Sequence, residues 1–214
     1  MTAIDMVDKK TIAFQPFMKF IIEFHNNLTF YRSILKKEFP KLTSLENEEI
    51  SLLEESYLIK IAAEWETFTH NIISYCIAMD TNVISKHLEL NLPVRMSFDN
   101  AYSVLNGLQY KTITSSNELR SLAKKVLADK YNPFIQLDRT NLNKIDDLYA
   151  IRNYIAHKSQ RSKERLLTMY RNRYNITDFI TPGLFLIEIM DASLGISRRD
   201  LLYGAVTPPK IRTI

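Results

Sequence analysis

A chain of 214 residues is long enough for one well-buried core and short for two sizeable ones. Four glycines and 46% hydrophobic residues suit helices better than a turn-rich sheet protein, and leave little material for a glycine-built phosphate cradle. The net charge of +4 is mild, and the single cysteine, Cys76, excludes an internal disulfide and a cysteine-based zinc cluster.

The opening MTAIDMVDKK carries aspartates where a secretory leader has a basic and then an apolar stretch, and no segment reaches the ~18 apolar residues of a membrane span. The expectation is a cytoplasmic protein without a membrane segment. Pro16 suits a first helical turn. Phe17, Ile21, Phe24, Leu28, Tyr31 and Leu35 then recur at alternating spacings of four and three, a heptad-like seam running to Pro40.

Thr43-Ser44-Leu45-Glu46 reads as a capping box for a second long helix. Its expected buried face is Ile50, Leu53, Tyr57, Ile61, Phe68, Ile72, Tyr75 and Met79. Pro93, Gly107 and Asn132-Pro133 break up residues 81–140, where short helices are expected near 82–89, 98–106 and 116–129, the last opened by a Ser115-to-Glu118 box. This region reads as an insertion of short helices into a single domain spanning 1–214. The predicted fold is all-α, an up-and-down helical bundle of four to five core helices.

Thr140 is the expected cap of the next helix, which ends near His157. On a wheel of 100° per residue, Leu142, Ile145, Leu148, Tyr149, Ile155 and Ala156 share one face, with Arg152 in the middle of it. A guanidinium there needs an acidic partner or a ligand. His157 follows five residues later, about 140° around a regular helix. Either the helix ends or distorts near His157, or two chains meet about a two-fold axis and each completes the other's site.

From Lys158 to Tyr174, six basic residues (Lys158, Arg161, Lys163, Arg165, Arg171, Arg173) face one acid, Glu164. That span is +5 in a chain of +4, so the remainder is −1. With Tyr170 and Tyr174 interleaved, the composition suits phosphates and stacked bases, and equally a solvated helix face. Thr181-Pro182 then opens a final helical segment, LFLIEIMDASLGISRRDLLYGAV, bent or divided at Gly195, before an extended TPPKIRTI.

The run Arg152-Asn153-Tyr154-Ile155-Ala156-His157 resembles the R-N-x-x-A-H form of the motif of the HEPN superfamily, small helical-bundle proteins of which many are metal-independent ribonucleases. AAEWETFTH, residues 62–70, is similar to the second helix of such proteins. The resemblance implies Arg152 and His157 as catalytic residues, Asn153 as support, and Glu66, or else Glu64, as the acid holding Arg152. It implies cleavage by the ribose 2′-hydroxyl, leaving 2′,3′-cyclic phosphate and 5′-hydroxyl ends, with no metal or cofactor. Lys158, Arg161, Lys163 and Arg165 would bind RNA.

The same resemblance implies a homodimer acting as a toxin or anti-phage effector, with a possible antitoxin or defence-system partner. Where some of these toxins carry a regulatory tyrosine two residues after the histidine, this chain has Ser159. The alternative is a non-catalytic HEPN-like dimeric adaptor or an RNA- or nucleotide-binding module. Without the family, Arg152 and His157 also read as a core ion pair and a helix-ending histidine. Glu66 and His70, one turn apart, lack a third ligand and read as a hydrogen-bonded pair rather than a metal site.

Overall fold

A computed structural model describes Ile22, Asn26, residues 47–108, 113–191 and 196–198, and Leu202. The fold is all-α, with seven helices among the described residues: α1 (Asn47–Met79), α2 (Asn82–Leu88), α3 (Phe98–Gly107), α4 (Ser116–Val126), α5 (Arg139–His157), α6 (Gln160–Tyr174) and α7 (Pro182–Ile187). A 3₁₀ turn covers Asp129–Tyr131, and strands β1 (Ile189–Asp191) and β2 (Ile196–Ser197) form a small antiparallel ribbon. The expected helix after Pro16, its heptad seam and the Thr43–Glu46 box lie outside the described residues, apart from helical Ile22 and Asn26. The C-terminal tail also lies outside.

The chain divides into two compact units, Met1–Ile22 with Glu64–Leu142, and Glu23–Ala63 with Asn143–Ile214. In the first, the short helices fall where the breakers place them. Ser97 caps α3 by accepting from the Asn100 amide at 3.2 Å, and a left-handed Glu89 (φ 54°) ends α2. Ser115 caps α4 through the Glu118 amide, but the Glu118 carboxylate accepts from Thr114 N and Oγ1, one residue upstream of the expected return bond. Buried Thr81 ties the start of α2 to the irregular stretch after it, donating from Oγ1 to Pro93 O at 2.6 Å. The core includes Ile73, Ile77, Ile84, Leu105, Leu119 and Val126.

Along α1, Tyr57, Ile61 and Phe68 are buried as expected, while Ile50, Leu53, Ile72, Tyr75 and Met79 are only half-buried. Leu58, Ala62, Trp65, Ile73, Cys76 and Ile77 are buried as well. A seam extrapolated over 33 residues drifts around the cylinder, because spacings of three and four do not match 3.6 residues per turn. Cys76 donates to Tyr131 O at 3.3 Å, and burial pushes its thiol up to about 12, so it is an inert core residue.

In the second unit, α5 and α6 are joined only by Lys158 and Ser159, which makes them an antiparallel hairpin. Leu148, Tyr149 and Ile151 of α5 and Leu166 and Tyr170 of α6 are buried. The C-terminal expectation fails in part: α7 stops at Ile187 and the apolar run continues as the β1–β2 ribbon. Thr181 opens α7 without capping it; its hydroxyl instead meets Ser51 Oγ at 3.3 Å.

Gly183 accounts for the closeness of that approach. A Cβ on it would collide with the Ser51 backbone and hydroxyl, while its amide reaches Glu55 Oε1 at 3.4 Å. Gly183→Ala is therefore expected to lower stability by about 1–3 kcal/mol, the usual cost of overpacking. A thermal melt would show it, and an unchanged melting temperature would mean that the contact is not tight.

Candidate functional site

The helix carrying the motif begins one turn before its apolar face. Asp138, not Thr140, caps it: the Asn141 amide donates to Asp138 Oδ1 at 2.7 Å. From there α5 stays helical through His157, where Lys158 closes the last turn by donating to Tyr154 O at 2.8 Å and turns left-handed (φ 45°). Ser159 and Ser162 then start α6 with reciprocal bonds, each amide donating to the other's hydroxyl at 3.1 and 3.2 Å.

These two caps fix where the motif side chains emerge. Arg152 is half-buried and donates from Nη1 to Asn153 Oδ1 at 3.1 Å. His157 is exposed at the last position of α5. The apolar face differs from the expected one at its end: Leu142, Ile145, Leu148 and Tyr149 are buried, but Ile155 is half-buried and Ala156 exposed, and Ile151 is buried instead. The last turn of α5 thus projects from the core, which is why His157 meets solvent. Glu66 is half-buried on the part of α1 that belongs to the first unit, and Glu64 is half-buried nearby on the same helix.

The basic residues separate into two groups. Lys158, Arg161 and Arg165 are exposed, and the last two, one helical turn apart on α6, make no ion pair among the described residues. Lys163 is half-buried, with its ammonium 4.6 Å from the centre of the Phe179 ring. Arg173 is committed elsewhere. It bonds Asp147 Oδ1 and Asn143 O across the hairpin and lies 3.7 Å from Asp146.

Asp147 is the buried centre of a polar cluster that sequence reasoning missed. The carboxylate is 2% exposed and also accepts from Tyr174 Oη at 2.8 Å. Burial pushes its pKa up, against the lowering pull of Tyr174 and Arg173. Tyr174 packs edge-on against Phe185, and Tyr170 stacks on the same ring at 4.4 Å. Arg198, 4% exposed, lies 4.3 Å from that ring and pairs with Glu188 at 2.7 Å. Tyr170 is fully buried and donates to Ile180 O, so neither tyrosine of α6 is a free stacking surface.

No family model, curated protein or solved structure matches the chain. The motif therefore stands on its own geometry.

The supposed pairing of His70 with Glu66 is replaced by another. His70 Nε2 bonds Asn106 Oδ1 at 2.9 Å, its ring lies edge-on to Tyr102, and its buried Nδ1 has no hydrogen-bond partner. Burial lowers its pKa, which keeps the imidazole neutral. Among the described residues no three His, Cys, Asp or Glu side chains are grouped as a metal site would need, and no helix is long and apolar enough to cross a membrane.

Proposed function

We propose that this chain is a metal-independent endoribonuclease of HEPN type. The observation that carries the reading is the placement of His157: an exposed imidazole at the free end of α5, one residue before an exposed cationic strip and five after an asparagine-braced arginine. An imidazole can both take up and give up a proton, the chemistry that general acid–base catalysis needs. His157 takes the proton of the ribose 2′-hydroxyl or delivers one to the departing 5′ oxygen. Arg152, oriented by Asn153, stabilises the charge that builds on the phosphoryl oxygens.

α5 ends at His157, the first of the two arrangements expected from the sequence, yet His157 is itself still helical, so its offset of about 140° from Arg152 remains. That supports a composite site in a two-fold homodimer, Arg152 from one copy and His157 from the other. The biological setting that fits is a cytoplasmic toxin or anti-phage effector held in check by a partner protein.

Lys158, Arg161 and Arg165 track the RNA backbone. Replacing all three with alanine is expected to reduce RNA affinity and to flatten its dependence on salt by about 2 in the log–log slope, at ~0.7 per phosphate contact for a single strand. Stability should change by no more than about 0.5 kcal/mol, since all three are exposed. Binding titrations across a salt series read both numbers.

The deciding test of the activity is total RNA incubated with the protein in a chelator, beside single-stranded DNA. RNA should be cut and DNA left whole, because DNA lacks the attacking hydroxyl. If both stay intact, the non-catalytic adaptor or RNA-binding module becomes the better account.

A further inference from the structure

Phe179 is the aromatic that the cationic hairpin leaves open. It lies in the link between α6 and α7, and 37% of its surface is exposed. The link is not slack around it. Left-handed Asn175 ends α6, the Ile176 amide donates to Tyr170 O at 3.1 Å, and Tyr170 Oη donates to Ile180 O at 3.2 Å. Both flanks of the Phe179 segment are therefore fastened to one fully buried tyrosine.

Two further contacts fix the ring's place relative to the motif. Tyr154, three residues before His157, meets it edge-on with centroids 5.5 Å apart. Lys163, four residues after Ser159, holds its ammonium 4.6 Å from the ring centre. The ring thus packs against Tyr154 in the last turns of α5 and Lys163 in the first turn of α6, near the closed end of the hairpin.

An exposed aromatic ring held in place beside a cation, next to a cationic strip, is an arrangement by which proteins hold single-stranded nucleic acid: cations follow the backbone and the ring stacks a base. We infer that Phe179 is a nucleobase-stacking residue, holding a base next to the phosphate presented to His157, with Lys163 contacting the flanking phosphate. The inference rests on the RNA reading above and adds a site to it. Stacking accepts any base, so the site selects unpaired RNA over duplex rather than one sequence.

The test uses the full chain and a fluorescent 2′-O-methyl oligoribonucleotide, which keeps bases and phosphates but cannot be cut through its 2′ oxygen. A second strand has the same backbone and no bases. Phe179→Ala should weaken binding of the base-bearing strand by about 5- to 150-fold and leave the abasic strand unaffected, and Phe179→Trp should restore the loss. Equal binding of the base-bearing strand by wild type and Phe179→Ala overturns the stacking site. If unmodified RNA is still cut in a chelator by both proteins, only this inference falls. If wild type binds neither strand and cuts no RNA, it falls together with the ribonuclease reading.

Discussion

His157→Ala should lower the rate of RNA cleavage by about 10²–10⁴-fold, the usual contribution of a positioned general acid or base, while folding and RNA binding stay nearly intact. The side chain is exposed at a helix end, and substitutions of that kind usually stay within about 0.5 kcal/mol in stability. Arg152→Ala should differ, because Arg152 is half-buried and bonded to Asn153, so stability is lost along with activity. Mixing the two inactive variants tests the composite site. A heterodimer rebuilds one intact Arg152–His157 pair, so partial activity should return. Rates of a labelled RNA substrate together with melting curves report all of this, and full activity in His157→Ala would remove the residue from the mechanism.

The second large effect is expected at Asp147, far from the motif's free end. Asp147→Ala takes the acceptor from Tyr174 and the partner from Arg173 across the α5–α6 hairpin. Leaving the half-buried Tyr174 hydroxyl without its acceptor costs about 1–3 kcal/mol. Arg173, whose side chain is 30% exposed, keeps access to water and adds little. A loss of about 1–3 kcal/mol, or roughly 2–12 °C in melting temperature, is expected.

Asp147→Asn should behave differently, since its amide keeps an oxygen for Arg173 and offers an NH₂ to the Tyr174 oxygen. The raised pKa gives the sign of the pH dependence. The folded state holds the Asp147 proton more tightly than the unfolded chain, with its ordinary value of about 3.9. The stability from that proton is complete below about pH 4 and disappears as pH rises through the folded value. Asp147→Asn should therefore match or exceed wild type at pH 7, with the advantage closing toward pH 4. Melts at both pH values check it; an Asn variant as damaged as Ala would show that the charge itself is needed.

Where helices lie was legible from the sequence, because proline, asparagine and serine signals bound α2, α3 and α4 and a three-four periodicity marks α5. Orientation was less so. Tyr170 and Tyr174 have the composition of stacking residues, yet they are held inward by Phe185, Ile180 and Asp147, partners in other elements. Asp147 itself looks like a solvated residue until the hairpin brings Arg173 and Tyr174, 26 and 27 positions away, against it. Phe179 was missed because it lies between periodic segments, where no pattern assigns a face.

The C-terminal run LFLIEIMD shows the complementary failure. Its apolar residues are continuous, so period alone does not separate a helix from a strand, and the chain changes from one to the other at Glu188. At the candidate site the motif suggested the roles proposed for Arg152 and His157, while the exposure of His157 depends on how far α5 outruns the core. Ala156, expected inside and found outside, marks that limit.

The most direct measurement of the central claim is end-group analysis of a 5′-labelled RNA incubated in EDTA with wild type and with His157→Ala. Products from wild type that carry 2′,3′-cyclic phosphate and 5′-hydroxyl ends, and are absent with the variant, are the predicted result. Intact RNA with wild type, or products bearing a 5′-phosphate, would contradict it.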